Sequence, residues 1–195
     1  MKRLRKLILA MVIIFTTSTS YSTQYIDVTS PDSSRISHVF FEDVNEGSLF
    51  TIVDIYGKII YNEIINETGS YSRKLDLTNL PDSQYYFEID DEDEIEIIPF
   101  TIIESIAVVK QDEKSTIYKP EITVVDNMVY VSKKLDGKQS MDIEIYYEDY
   151  NLAYGEKFKD VFSLSRVYDF STSKKGKYII HIKSEGKTFK NTINI

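Results

Sequence analysis

The chain has no cysteine and no tryptophan, and only two histidines, four prolines and seven glycines among its 195 residues. Without cysteine there is no disulfide framework, no thiolate zinc site and no thiol nucleophile. Basic residues are in deficit too. Lys and Arg total 23 against 31 Asp and Glu, a formal net charge of −8. That balance opposes a phosphate-binding surface, so nucleic acid is not an expected partner. Hydrophobic residues make up 42% and charged residues 28%, which is the balance of a globular chain rather than a disordered one.

The first 22 residues read as an address. Met1 to Lys6 carry four basic side chains, Leu7 to Phe15 form an unbroken apolar run, and Thr16 to Ser22 form a polar tract rich in Ser and Thr. This is the order of a secretory signal peptide. The apolar run is nine residues long, whereas a membrane span takes roughly 20, so no transmembrane anchor is expected. Ser20 and Ser22 fit the small-residue positions of a cleavage site between Ser22 and Thr23, with Ser18 and Ser20 as the rival pair. Removing residues 1–22 leaves 19 basic against 31 acidic residues, a formal charge of −12.

Beyond Thr23, apolar and polar residues alternate with period two. Tyr85-Tyr86-Phe87-Glu88-Ile89, Met141-Asp142-Ile143-Glu144-Ile145 and Tyr178-Ile179-Ile180-His181-Ile182 are examples. Val, Ile, Thr, Tyr and Phe dominate these runs and suit a pleated, half-buried surface. Turn residues such as Tyr56-Gly57-Lys58, Asp136-Gly137 and Glu185-Gly186 separate them.

The pattern occurs twice. At an offset of 93, Ser70 to Leu77 falls on Ser163 to Phe170, Tyr61 and Glu63 fall on Tyr154 and Glu156, and Tyr85, Phe87 and Ile89 fall on Tyr178, Ile180 and Ile182. Upstream, Val39-Phe40-Phe41 aligns with Val129-Tyr130-Val131 after a three-residue insertion. The repeat makes Tyr147 to Phe162 a strand, Gly turn and strand, although its local periodicity could be taken for a helix. The reading is therefore all-β: two tandem immunoglobulin-like or fibronectin III-like β-sandwich domains related by an internal repeat. They should occupy residues 24–103 and 106–195. Core one is expected to hold Ile52, Ile60, Leu75, Leu77, Tyr85, Phe87 and Ile89, and core two Ile145, Ala153, Tyr168, Phe170, Tyr178, Ile180 and Ile182.

Within the first copy, Asp54-Ile55-Tyr56-Gly57-Lys58-Ile59-Ile60-Tyr61, Leu75-Asp76-Leu77-Thr78-Asn79-Leu80-Pro81 and Tyr85-Tyr86-Phe87-Glu88-Ile89 together resemble the C-terminal sorting domain of the type IX secretion system of Bacteroidetes. The resemblance spans residues 52–89. It implies an immunoglobulin-like sandwich and cargo export across the outer membrane, and it carries no functional residues over.

Chemistry-bearing residues are sparse. Asp90, Asp91 and Asp93 lie in an acidic run that could offer oxygens to calcium, but the run lacks EF-hand spacing and reads first as a solvated hairpin tip. His181 alternates outward and His38 has no partner motif, so neither forms a catalytic constellation. Tyrosine is the excess, with 15 residues. Tyr146, Tyr147, Tyr150 and Tyr154 cluster near one turn of copy two, and Tyr146 and Tyr150 are expected to be exposed in a partner-binding patch. The expectation is a non-enzymatic module, exported to the periplasm, cell surface or medium, with no cofactor, that binds a protein or envelope component. The alternatives are an accessory carbohydrate-binding or enzyme-associated domain pair and a secretion-linked sorting domain.

Overall fold

The computed structural model describes residues 27–29, 37–148 and 151–195. The leader and Tyr150 lie outside the described residues. Apart from a three-residue 3-10 turn at Gln111–Glu113, the described secondary structure is β-strand.

In the first copy, β1 (Asp27–Thr29), β2 (Ser37–Val44) and β5 (Gly69–Leu75) form one antiparallel sheet in the order β1-β2-β5. The opposing sheet runs β4 (Ile59–Ile64), β3 (Leu49–Asp54), β6 (Ser83–Asp90), β7 (Glu94–Ile103) and β8 (Ile106–Val109), and β9 (Ser115–Tyr118) also pairs with β7. Alternation drives the packing: Tyr85, Phe87 and Ile89 on β6 turn inward while Tyr86 and Glu88 turn out. Phe41, Phe50, Phe87 and Phe100 meet in the centre, with Phe87 and Phe100 stacked at 4.1 Å between ring centroids.

The second copy uses β10 (Glu121–Val125), β11 (Met128–Tyr147), β12 (Asn151–Asp169), β13 (Lys177–Ser184) and β14 (Lys187–Asn194). The first half of β11 pairs with the second half of β12, and the second half of β11 pairs with the first half of β12 and with β13. The two long strands thus do the work of β2 plus β3 and of β4 plus β5. They enclose a separate core that includes Val131, Met141, Ile143, Ile145, Ile180 and Ile182.

Registers repeat with the sequence. Ile52 faces Tyr61 and Phe87, and Phe87 faces Ile98. Ninety-three positions on, Ile145 faces Tyr154 and Ile180, and Ile180 faces Asn191. Each copy also has the tyrosine corner of immunoglobulin-like sandwiches, a hydroxyl bonded back to the backbone a few residues upstream. Tyr85 donates to the Pro81 carbonyl at 2.9 Å and Tyr178 to the Lys174 carbonyl at 3.0 Å.

Three readings are refined by the structure. Arg73 pairs with Val39 and Arg166 with Val131, so the offset across this strand is 92 and not the 90 expected from sequence. A two-residue slip keeps the same face inward, and it seats Lys133 where the first copy has Phe41. Second, Ile60 and Ala153 are exposed instead of buried. Ile52 faces Tyr61 while Val53 faces Ile59, and Ile145 faces Tyr154 while Tyr146 faces Leu152. Each is a β-bulge whose extra residue, Ile60 or Ala153, leaves the inward phase. Leu75 and Tyr168 are half-buried. Third, sheet pairing does not stop at Ile103. β8 and β9 continue the sheet of β7.

Candidate interaction surfaces

The junction between the copies is ionic. The Lys133 side chain is fully buried, 3.0 Å from the Glu185 carboxylate, donates to the Tyr118 carbonyl and lies over the Phe189 ring. Lys187 donates to both Glu88 oxygens at 2.7 and 2.8 Å. A buried ammonium needs such partners, because its desolvation otherwise costs several kcal/mol.

The acidic run lines an open recess of about 940 Å³ together with Asn45, Thr68 and Lys119. Asp90 and Asp91 in it are engaged. Asp91 accepts from Asn45 and from the Glu92 amide, and Lys119 sits 2.5 Å from the Asp90 carboxylate and donates to the Asp91 carbonyl. Asp93 is exposed. An ammonium thus stands among the oxygens proposed for calcium. Among the described residues, no group of three or more His, Asp or Glu is placed to hold a metal ion.

Tyr146 is half-buried rather than exposed. Its ring packs 5.0 Å from that of His181 and its hydroxyl donates to Glu144 at 2.8 Å. Lys183 also donates to Glu144, and Lys157 donates to Asp142. This grid forms the outer face of the second copy. The hydrogen bonds from Lys183 and Tyr146 hold the Glu144 carboxyl below its ordinary value, and the bond to Glu144 holds the Tyr146 hydroxyl above its own. Desolvation, then Lys190, lowers His181. Tyr147 packs on Tyr178 and Tyr154 against Tyr168, so packing accounts for much of the tyrosine cluster. The structure does not bring Tyr146 together with Tyr150, which lies outside the described residues.

In the first copy a carboxylate joins the two sheets, and in the second its counterpart links the two halves of β12. Glu63 on β4 binds Arg73 and accepts from Tyr71 on β5. Glu156 binds Arg166 and accepts from Tyr168 at 3.3 Å. Burial raises the pKa of both tyrosines, so both stay protonated donors.

The β3–β4 turn falls at Tyr56-Gly57-Lys58, where the sequence marks a turn, but the apolar face beside it was not singled out. The Asp54 carboxylate accepts from the Tyr56 and Lys58 amides, each at 2.9 Å, and Gly57 takes φ 79°. A side chain there would strain the backbone. The turn holds Tyr56 outward at its apex, and β4 presents Ile59, Ile60 and Ile64 on its outer side.

Residues 30–104 match the family described as the secretion system C-terminal sorting domain. The first sandwich is thus similar to that family over most of its length. The match contains the resemblance read at residues 52–89 and runs through β7. No curated protein matches the chain. Among solved structures, the chain is similar to the BSP domain of a biofilm-associated protein, at 14% identity over 81% of this chain and 27% of that one, with a TM-score of 0.29. It is also similar to a tetra-tandem repeat in the extending region of a large adhesion protein, at 16% identity over 87% and 47%, with a TM-score of 0.29. The FN1–FN3 domains of chicken CNTN1 align at 12% identity over 88% and 65%, with a TM-score of 0.27. The chain thus spans about a quarter and about half the length of the first two. The fold assignment rests on the strand order, registers and tyrosine corners, not on these scores.

Proposed function

We propose that this is an exported, non-enzymatic interaction module of a Bacteroidetes-like cell envelope, binding a protein or an envelope component. The observation that carries this reading is the sorting-domain match on residues 30–104, which lies on a sandwich with its own aromatic core. A domain of that kind implies export. The basic, apolar and small-residue order of residues 1–22 supports the same route, with the mature chain beginning near Thr23. The described carboxylates support a non-catalytic role. Asp91 and Asp90 of the large recess are tied to Asn45 and Lys119, Glu63 joins the two sheets of the first copy, and Glu156 links the two halves of β12.

A second reading is favoured by the match itself: residues 30–104 serve as the address that type IX machinery reads, and the second sandwich travels with it. Localisation of the full chain tests both. In a host with an active type IX channel, the protein should appear at the cell surface or in the medium, with an N-terminus near Thr23. If the second reading is right, disabling the channel should trap it in the periplasm. Recovery of a chain retaining Met1 from the cytoplasm would overturn the export reading. Surface delivery unaffected by channel loss would remove the sorting role alone.

A further inference from the structure

The internal repeat acts as a control experiment. Where two copies of one backbone carry different side chains, the fold does not dictate the choice. On the first copy, Ile55, Tyr56, Ile59, Ile60 and Ile64 are 48%, 88%, 54%, 40% and 59% exposed. Their counterparts are Glu148, Asp149, Leu152, Ala153 and Lys157. The second copy builds the same strand pairing and the same bulge with mostly polar or small residues, so the apolar face of β4 is not required for folding.

The strand is also unguarded. β4 ends its sheet, and so does β14. Edge strands are ordinarily protected by charge, lysine above all. β14 carries Lys187 and Lys190, whereas the one charged residue of β4 is Glu63, which is bound to Arg73 across the sandwich. Together the five side chains expose roughly 500 Å² of mostly apolar surface, at the upper end of what a monomer ordinarily shows.

We propose that this face of the first sandwich is an isologous contact with a second copy of the chain. Two such patches brought together bury roughly 1,000 Å², the lower bound for a specific interface. Two-fold dimers are the commonest assembly of soluble chains. Charge favours the same face. Two copies carrying an acidic excess repel each other over most of their surfaces, but here the nearest carboxylates are spent on the Asp54 turn and on Arg73. The rigid Asp54 turn presents Tyr56 as an anchor, which suits an aromatic hot spot at low entropy cost. This goes beyond the reading above and does not depend on export.

Sedimentation velocity on the protein as its host produces it, from about 5 to 500 µM, tests the proposal, because an interface at the lower bound of specific size calls for a wide concentration range. The expected result is a monomer that shifts to a dimer with concentration. Ile59→Lys with Ile64→Lys should stay monomeric throughout with an unchanged circular dichroism spectrum. Should that variant misfold, Tyr56→Glu at the turn apex should weaken the dimer at least tenfold. Tyr146→Ala, on the other sandwich, should dimerise normally. A wild-type protein that is monomeric at 500 µM overturns the proposal, even if the face proves to capture a different protein. A dimer unaffected by these β4 and Tyr56 substitutions overturns it as well.

Discussion

Tyr85 and Tyr178 are 93 residues apart and make the same hydrogen bond. Each donates its hydroxyl to the carbonyl four residues upstream, that of Pro81 in one case and Lys174 in the other. The rings are buried, so loss of either hydroxyl leaves a carbonyl short of its partner. Tyr85→Phe and Tyr178→Phe should each cost about 1 to 2 kcal/mol in urea unfolding. The two corners lie in separate cores, so the double variant should lose the sum of the two. An undiminished stability would show that the corners are incidental.

The buried Lys133–Glu185 pair should behave asymmetrically. Lys133→Ala leaves the Glu185 carboxylate without its counter-charge in a nearly closed site and should cost about 3 to 5 kcal/mol. Lys133→Met with Glu185→Leu replaces both charges by apolar side chains of similar volume and should recover most of that loss. Phe41 at the equivalent position of the first copy shows that an apolar side chain suits this backbone. A thermal-melt double-mutant cycle measures the coupling, and a cycle with no coupling would contradict the geometry.

Acidification should destabilise the second sandwich. The His181 imidazole is held below its ordinary value of 6.5 by desolvation and Lys190. Its neutral form is therefore favoured in the fold, and the unfolded chain binds the proton first. That stability is whole above the ordinary value of 6.5 and is lost as pH falls through it towards the lowered one. Glu144, also held low, adds a loss below the ordinary carboxylate range. The melting temperature should fall in both windows, and His181→Asn should abolish the first. A His181→Asn protein with the same fall just below pH 6.5 would assign that loss elsewhere.

Much of this architecture was legible in the sequence because alternation and repeat period are local or translational signals. Ile52, Phe87, Ile145 and Ile180 are core residues on both grounds, and they pair as the offset requires. Ile60 and Ala153 were misjudged because a bulge shifts the inward phase by one residue, and a bulge leaves no mark in an apolar run. The role of residues 106–118 was missed because they lie outside the stretch that the repeat aligns, so the offset carries no signal for their pairing. They cover β7, whose Ile95, Pro99 and neighbours would otherwise end the sheet exposed. Alternation puts Tyr146 on the face opposite Ile145, but it cannot show that His181 and Glu144 would enclose it. The β4 face became visible only when burial was compared between copies.

The central claim is that one sandwich is built twice with one register, and native-state amide exchange on the full chain tests it most directly. Core strands exchange only by global or near-global opening. The account predicts strong protection for β3 and β6 around Ile52 and Phe87. Protection of the same class should appear 93 residues on, around Ile145 and Ile180, with the two sets free to differ in overall stability. Residues 106–118 should be protected together with β7. Rapid exchange throughout 141–184, or protection there displaced by one residue from the pattern of 49–90, would contradict it.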